Sequence, residues 1–196
     1  MQTNIRAFIA IPLTREVHQQ LGLFIQSHGL ANRDAGFRPV KPENIHLTLK
    51  FLGDVKAASL PAISEHLDRL TVTLKQTSIT ISGLGAFPGW FKQPRVIWVG
   101  VQPVEPIQRM SEQIEKAISA LGFPAERKPF SPHLTLARVN QQVAGQRYQE
   151  VITRLRNLQP APVFGDMVAN KIILFKSDLQ PSGPVYSVLS AHRLKG

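Results

Sequence analysis

The chain contains no cysteine among its 196 residues. Disulfides, zinc sites built from thiolates and cysteine nucleophiles are therefore excluded. No apolar run approaches the roughly 20 residues that a membrane-spanning helix needs. The apolar stretch at residues 7–11 has neither a basic segment before it nor a small-residue cleavage site after it, so it predicts a first strand and not a signal peptide. Together these absences predict a cytoplasmic protein with no membrane partner.

Acidic side chains are also scarce. The chain has 13 Asp and Glu residues against 23 Lys and Arg residues, which gives a formal net charge of +10. Such an excess attracts polyanions through long-range steering and phosphate contacts. Biased amino-acid usage across a proteome also produces basic surfaces, so the charge alone identifies no partner. Combined with the motifs described next, it favours a nucleic acid or a nucleotide.

Two common catalytic patterns are missing as well. The glycines Gly22, Gly85 and Gly100 do not form a nucleotide-binding glycine pattern. No Ser-His-Asp arrangement can be read from the sequence. The positive evidence for function has to come from another pattern.

That pattern is the string HLTL, which begins at His46 and again at His133. Side chains of a strand alternate between two faces, so each histidine shares a face with the threonine two residues later, and the leucines occupy the other face. Histidines that merely line a core on duplicated strands are the competing interpretation. Two copies with the same threonine offset, at Thr48 and Thr135, instead predict two imidazoles and two hydroxyls that face one cleft.

The chain reads as two halves with the same order of elements. The motif histidines are 133 − 46 = 87 residues apart, close to one repeat. Helical spacing of apolar residues predicts a helix after Thr14, a plausible N-cap, and further helices around residues 60–70, 107–121 and 148–158. Strands are expected at residues 6–11, within 37–53, and at 78–84, 95–101, 130–139, 171–175 and 185–189. Residues 85–94 are expected to connect the halves.

The expected fold is α+β, with two pseudo-symmetric lobes and the active-site cleft between them. Each lobe is predicted to hold a mostly antiparallel sheet backed by helices. Each half is too small to be stable alone. We therefore expect one two-lobed domain over residues 1–196, with approximate halves 1–90 and 91–196, and a monomer, because the two lobes already form the cleft.

Two imidazoles and two hydroxyls fit phosphodiester cleavage without a metal. The reaction needs a base for the nucleophile, an acid for the leaving oxygen and donors for the developing charge. Histidine can act as base or acid near neutral pH. A metal site is the rival interpretation, but neither motif carries a carboxylate and the chain has no thiolate to complete a ligand set. We therefore expect no metal and no cofactor.

The strings HLTLKFLG and PFSPHLTLAR resemble the paired H-x-T-x signatures of the 2H (two-histidine) phosphoesterase superfamily. Within it the chain is most similar to the RNA 2′,3′-cyclic phosphodiesterases, also called 2′-5′ RNA ligases (LigT-like). The similarity runs nearly end to end and includes RAFIAIPL, RPVKPENIHLTLKFLGDV, RVIWVGV and GPVYSVL. One H-x-T string is weak evidence, whereas two in these contexts and in this order are strong evidence.

The resemblance implies that the enzyme opens a terminal 2′,3′-cyclic phosphate on RNA, for example on a tRNA half or another RNA fragment, and leaves a 2′-phosphate. The same site run in reverse would join a 5′-hydroxyl end through a 2′-5′ linkage. Carried over from the family, His46 is the proton donor and His133 the proton acceptor, while Thr48 and Thr135 hold the phosphate. The pseudo-symmetry of the motifs does not itself decide which histidine has which role.

Several further residues are candidates for binding the RNA. The family pattern supports Arg138, although strict alternation places it on the leucine face unless a bulge or strand end follows Ala137. Lys50 falls on the same face of the predicted strand as His46 and Thr48, so it is expected to point toward the cleft mouth. Aromatic side chains can stack on a base, and core packing is the competing interpretation for them. Basic side chains can contact phosphates, and a solvated loop is the competing interpretation for them. The candidates of these two kinds are Phe51, Trp90, Phe91, Arg127 and Lys128.

The other histidines have no repeated context. His18 and His66 fall on predicted helices at solvent-facing positions, where we expect no catalytic role. Two alternative functions stay open: a phosphodiesterase of small cyclic nucleotides or 2′-5′ oligonucleotides, and an RNA-binding module without catalysis. The intact pair of histidines and threonines speaks against the second.

Overall fold

The computed structural model describes residues 4–126, 128–143, 145–181 and 183–196. The described chain contains nine strands, four α-helices and three short 3₁₀ helices. The strands are β1 (Asn4–Pro12), β2 (Phe37–Pro39), β3 (His46–Lys56), β4 (Thr77–Phe87), β5 (Val96–Gln102), β6 (His133–Val139), β7 (Val163–Ala169), β8 (Lys171–Gln180) and β9 (Gly183–Arg193). The helices are α1 (Arg15–Ser27), α2 (Leu60–Thr71), α3 (Val104–Ser119) and α4 (Gln146–Arg156).

The described strands form two antiparallel sheets, which confirms the predicted α+β class with two lobes. Sheet A has the order β3-β1-β8-β9, and sheet B has the order β2-β6-β5-β4-β7. Helices α2 and α3 pack on sheet A, and α1 and α4 pack on sheet B. Each sheet therefore has one face covered by helices and one face left for the cleft.

Each sheet takes strands from both halves of the chain. Strand β4, from the first half, lies between β5 and β7 of the second half, and β8, from the second half, pairs with β1 of the first. Helix α1 likewise packs on sheet B and α3 on sheet A. The two lobes therefore do not coincide with the two halves of the sequence.

Local sequence explains where the helices begin and end. The Thr14 hydroxyl accepts a hydrogen bond from the backbone N–H of Val17 at 3.3 Å, which is the expected N-cap of α1. Gly122, with φ 87°, follows the end of α3, where a left-handed residue stops a helix. No helix in the described ranges is long and apolar enough to cross a membrane.

Strand β7 is absent from the sequence-based prediction. Its burial does not alternate cleanly, because Gly165 has φ 128° and the pairing with β4 shifts register there. A bulge of this kind breaks the period of two on which strand prediction depends. The strand nonetheless closes sheet B and packs against α1, where Phe164 meets the edge of Phe24.

Candidate active site

The two motif strands lie side by side across the boundary between the sheets. Strand β3 is the edge of sheet A next to β1, strand β6 lies in sheet B, and Cα atoms of the two strands approach within 8 Å. In both motifs the leucines are fully or almost fully buried, whereas the histidine and threonine are half-buried. The predicted alternation is therefore correct over both HLTL strings, and the polar residues lie on the faces that carry no helix.

A bulge interrupts the alternation at the same point of both motifs. Opposite β1, Leu49 is the extra residue of β3, because the register passes from Thr48 directly to Lys50. Opposite β5, Leu136 is the extra residue of β6 in the same way. Each bulge lies three residues after the motif histidine, and beyond it the two faces exchange side chains.

The bulge shows that the predicted orientation of Lys50 is wrong. Lys50 is only 2% exposed and lies on the helix-covered face. Its ammonium donates to both carboxylate oxygens of Glu115 at 2.8 Å and to the carbonyl of Pro124 at 3.1 Å. Burial opposes the ionisation of Glu115, but the hydrogen bond and charge of Lys50, together with hydrogen bonds from Ser119 and the Glu126 backbone N–H, keep the pKa of Glu115 below its ordinary value. Lys50 is a buried structural cation and does not reach the cleft.

The equivalent bulge brings Arg138 to the cleft. After Leu136 the next residue, Ala137, is fully buried and Arg138 is exposed on the face of His133. The bulge that the sequence required thus exists, one residue earlier than expected. The charge of Arg138 acts on the phenol of Tyr186 in β9, whose ring meets His46 edge-on.

The two motif imidazoles are held by the same hydrogen bond. His46 Nδ1–H donates to the carbonyl of Asn44 at 2.8 Å, and His133 Nδ1–H donates to the carbonyl of Ser131 at 2.7 Å. Each acceptor lies two residues before its histidine. This bond fixes the Nε2 atom as the one that can give or take a proton in the reaction.

Aromatic packing makes the two imidazoles unequal. His46 stacks on Phe8 at 4.6 Å between ring centroids and meets the edge of Tyr186 at 5.2 Å, with Phe175 at 6.1 Å. Burial lowers the pKa of His46 to about 4; the hydrogen bond to Asn44 opposes the shift, and the charge of His18 adds to it. In the absence of a bound anion His46 is therefore neutral at pH 7.

His133 lies beside a different aromatic pair. Phe87 meets its ring edge-on at 5.0 Å, and Trp98 lies at 6.1 Å. The indole also covers Gly85, where an added Cβ would lie 2.0 Å from the Trp98 ring. The buried Trp98 Nε1 has no hydrogen-bond partner in the part of the chain that the structure describes. Trp98 thus forms part of the cleft beside His133.

A second arginine joins Arg138 near Tyr186. Burial raises the pKa of Tyr186 above its ordinary value, and the charges of Arg138 and Arg6 oppose that rise. Arg6 and Phe8 share a face of β1, and the Phe8 ring touches His46. Nothing in the spacing of Arg6, Phe8 or Tyr186 sets them apart from ordinary strand residues, so the sequence does not mark them as site residues.

The expected solvent-facing position of His18 is wrong. Its side chain is half-buried, and Nε2–H donates to the carbonyl of Ile45 at 2.9 Å. Ile45 directly precedes His46, so a side chain of α1 fixes the point at which the first motif begins. The helical spacing of α1 could not show this contact, because the partner lies 27 residues away in the sequence.

The remaining candidates occupy different positions. Phe51 is 60% exposed near Phe8, at 6.2 Å between ring centroids, so core packing does not describe it. Trp90 is half-buried against the core. Phe91 is 85% exposed, and the guanidinium of Arg156 lies over its ring, with 4.8 Å between the Arg156 Cζ atom and the centroid of the Phe91 ring. Base stacking by these three rings stays a prediction.

The basic residues before the second motif are only partly described. Lys128 is exposed on the loop that leads to β6. Arg127 lies outside the described residues. A phosphate contact by either side chain stays a prediction.

The fold brings together a Ser-His-Asp group that the sequence does not reveal. His192, only 3% exposed, contacts the Asp68 carboxylate through Nδ1 at 2.6 Å and the Ser190 hydroxyl through Nε2 at 2.8 Å. The group joins β9 to α2 on the helix-covered face of sheet A. In the described ranges no three His, Asp or Glu side chains are grouped so that they could hold a metal ion.

Comparison with known proteins agrees with this geometry. A family model described as LigT like Phosphoesterase matches residues 11–98 and again residues 99–186. An RNA 2′,3′-cyclic phosphodiesterase from Thermotoga maritima is 32% identical over 98% of this chain and 97% of its own length. One from Methanothermobacter thermautotrophicus is 31% identical over 97% of this chain and 100% of its own length. A crystal structure of E. coli LigT complexed with 3′-AMP has a TM-score of 0.78 at 25% identity, covering 99% of this chain and 100% of the other.

The two family matches begin 99 − 11 = 88 residues apart, which agrees with the spacing of the motif histidines. Each match contains one HLTL strand, one bulge three residues after its histidine, and one imidazole held by a backbone carbonyl. The chain belongs to the LigT-like phosphoesterase family.

Proposed function

We propose that this protein hydrolyses 2′,3′-cyclic phosphate ends of RNA to 2′-phosphates by acid/base catalysis with two histidines. The observation that carries the proposal is the matched pair of imidazoles. Each uses Nδ1–H on a backbone carbonyl, at 2.8 Å for His46 and 2.7 Å for His133, and so presents Nε2 for proton transfer. The relatives named for this activity are similar over nearly their whole lengths.

The reaction needs two proton transfers at one phosphorus atom. His133 Nε2 takes a proton from water as the water oxygen bonds to phosphorus. The bond from phosphorus to the 3′-oxygen breaks, and His46 Nε2–H gives its proton to that oxygen. The product carries a 2′-phosphate and a 3′-hydroxyl. Thr48 and Thr135, on the same faces as the histidines, donate hydrogen bonds to the non-bridging oxygens.

The substrate itself supplies the charge that His46 needs to hold a proton. Its aromatic surroundings lower the pKa of the imidazole to about 4 in the absence of a ligand. A negatively charged phosphate within reach of Nε2 favours the protonated form and raises that pKa. His46 therefore gains its proton together with the substrate, and the aromatic rings around it strengthen the attraction between the two charges.

RNA is the substrate that best suits the rest of the molecule. The net charge of +10 and the exposed Arg138 beside the cleft favour a polyanion. With a 5′-hydroxyl end in place of water, the same two proton transfers run in reverse would form a 2′-5′ linkage. Both motif strands come from one chain, so the proposal needs no second copy of the protein.

Hydrolysis of a short RNA with a 2′,3′-cyclic phosphate end, in EDTA and with the product resolved by chromatography, tests the proposal. We expect a 2′-phosphate product, and a loss of 10²- to 10⁴-fold in kcat for His46→Gln and for His133→Gln. His66→Gln, on α2 and away from both motifs, is the matched control and should keep the wild-type rate. Turnover that requires added metal, or a 3′-phosphate product, would refute the mechanism. Turnover of mononucleotides alone would favour the small-nucleotide function.

A substrate with sulfur in place of the bridging 3′-oxygen tests the assignment of the two roles. A thiolate can leave without being protonated, because a thiol is a far stronger acid than an alcohol. The sulfur should therefore restore most of the rate of His46→Gln and little of the rate of His133→Gln. Restoration of His133→Gln instead would exchange the roles of the two histidines.

A further inference from the structure

Two arginines lie opposite each other at the edge of sheet B. Strand β2 pairs with β6 so that Arg38 lies directly opposite Arg138. Opposed residues of antiparallel strands share a face, with Cβ atoms about 5 Å apart, and like charges in this position repel. Both side chains are exposed, and the ion pairs found among the described residues include neither of them. An anion placed between the two would turn the repulsion into attraction.

The backbone that presents Arg38 is firmly anchored. Phe37 is fully buried and packs against Tyr148 of α4, with ring centroids 5.7 Å apart. On either side of β2, the Val40 N–H donates to the carbonyl of Leu136 and the Asn140 N–H to that of Gly36, each at 2.8 Å. Arg38 is therefore held at a fixed place by its neighbours, and replacing its side chain leaves these contacts intact.

Arg38 lies beyond the catalytic groups, toward the edge of sheet B. His133 begins β6, Arg138 lies five residues further along it, and Arg38 lies one strand beyond, at a spacing of about 4.8 Å. The charge of Arg138 also acts on Tyr186, whose ring meets His46 edge-on. A ligand whose terminal phosphate lies between the histidines and Arg138 would extend toward Arg38 at the edge of the sheet.

We propose that Arg38 binds the phosphodiester that immediately precedes the terminal cyclic phosphate of an RNA chain, and so makes the enzyme prefer a polynucleotide end to a mononucleotide. The inference rests on the proposed function. A planar guanidinium matches the geometry of a phosphate with two parallel N–H donors. A nucleoside 2′,3′-cyclic phosphate has no preceding phosphodiester and gains nothing from Arg38.

The test compares two dinucleotides that both end in a 2′,3′-cyclic phosphate. One has an ordinary internal phosphodiester, and the other has an uncharged methylphosphonate at that linkage. For the wild type we expect the methylphosphonate to lower kcat/KM about tenfold, the loss of one charge-assisted contact. For Arg38→Gln the two dinucleotides should react at similar rates. The nucleoside 2′,3′-cyclic phosphate should react with both proteins at the same rate.

Arg147→Gln is the matched control, because Arg147 is exposed on α4, which packs on the opposite face of sheet B. It removes the same charge and should keep the tenfold preference. The proposal is overturned if Arg38→Gln keeps that preference, or if Arg147→Gln loses it as well.

Binding separates a failure of this inference from a failure of the proposed function. If the wild-type protein turns over none of these substrates, the proposed function is refuted, but the binding role of Arg38 is not. Fluorescence anisotropy with labelled dinucleotide 3′-phosphates, one with each internal linkage, then tests Arg38 without catalysis. A preference for the charged linkage that Arg38→Gln abolishes supports the subsite; the absence of any preference in the wild type refutes it.

Discussion

The burial of His46 makes the stability of the protein depend on pH in a predictable way. The pKa of this imidazole falls from 6.5 to about 4 on folding, so the unfolded chain binds more protons than the folded chain between these values. Stability is therefore fully present above pH 6.5 and is lost as the pH falls toward 4. His46→Gln removes this contribution, whatever else it changes at neutral pH.

The size of the effect follows from the shift. A difference of about 2.5 pKa units corresponds to roughly 3 kcal/mol when the loss is complete. Between pH 7 and pH 5 the same pair of pKa values gives a loss of about 2 kcal/mol. We expect the wild type to lose this much more unfolding free energy over that interval than His46→Gln does.

Urea unfolding of both proteins at pH 7, 6 and 5 measures this difference, because contributions from all other groups cancel in the comparison. His133→Gln, which removes the corresponding imidazole of the second motif, controls for the loss of the backbone hydrogen bond. A wild type and a His46→Gln variant that lose stability in parallel would refute the reasoning.

In a second measurement, added inorganic phosphate should raise the pKa of His46 in an NMR titration, as the proposed mechanism requires.

Three further changes probe other parts of the structure. Glu115→Gln leaves the Lys50 ammonium buried without its anion and should lower the unfolding free energy by about 3 kcal/mol. Lys50→Met fills the space of the lysine stem and should change the unfolding free energy by less than about 1 kcal/mol. Urea unfolding of the two variants measures both changes. Gly85→Ala forces the Trp98 ring to move and should lower kcat roughly tenfold or more while the circular dichroism spectrum is kept. His18→Ala removes a hydrogen-bond donor next to the first motif, so kcat should fall several-fold; an unchanged kcat would contradict that positioning role.

The sequence predicts most of this fold because the local patterns are regular. The spacing of apolar residues locates all four helices, and the period of two places both HLTL strings with their histidines on the open faces. What it cannot show is the exchange of β4 and β8 between the sheets, because strand pairing depends on contacts distant in sequence. Strand β7 is missed for a local reason, the irregular backbone at Gly165.

The site is predictable up to the bulges and not beyond them. Parity gives the correct face for His46 and His133, but it fails immediately after Leu49 and Leu136, where one extra residue reverses it. For this reason Lys50, which follows the first of these bulges, is buried although its parity predicts the cleft. The contacts of Tyr186, Arg38 and His18 come from elements far away in the chain, which no short pattern reveals.

The exchange of strands has a consequence for the covalent continuity of the chain. A cut within residues 88–94 would separate β4 from both of its neighbours in sheet B and β8 from its neighbour β1 in sheet A. Neither piece contains a complete sheet, and each would carry unpaired strand edges that match the other piece. The two pieces should therefore regain structure only by binding to one another. The arrangement suits a split-enzyme reporter, in which each piece is fused to one of two proteins and activity appears when those two proteins bind.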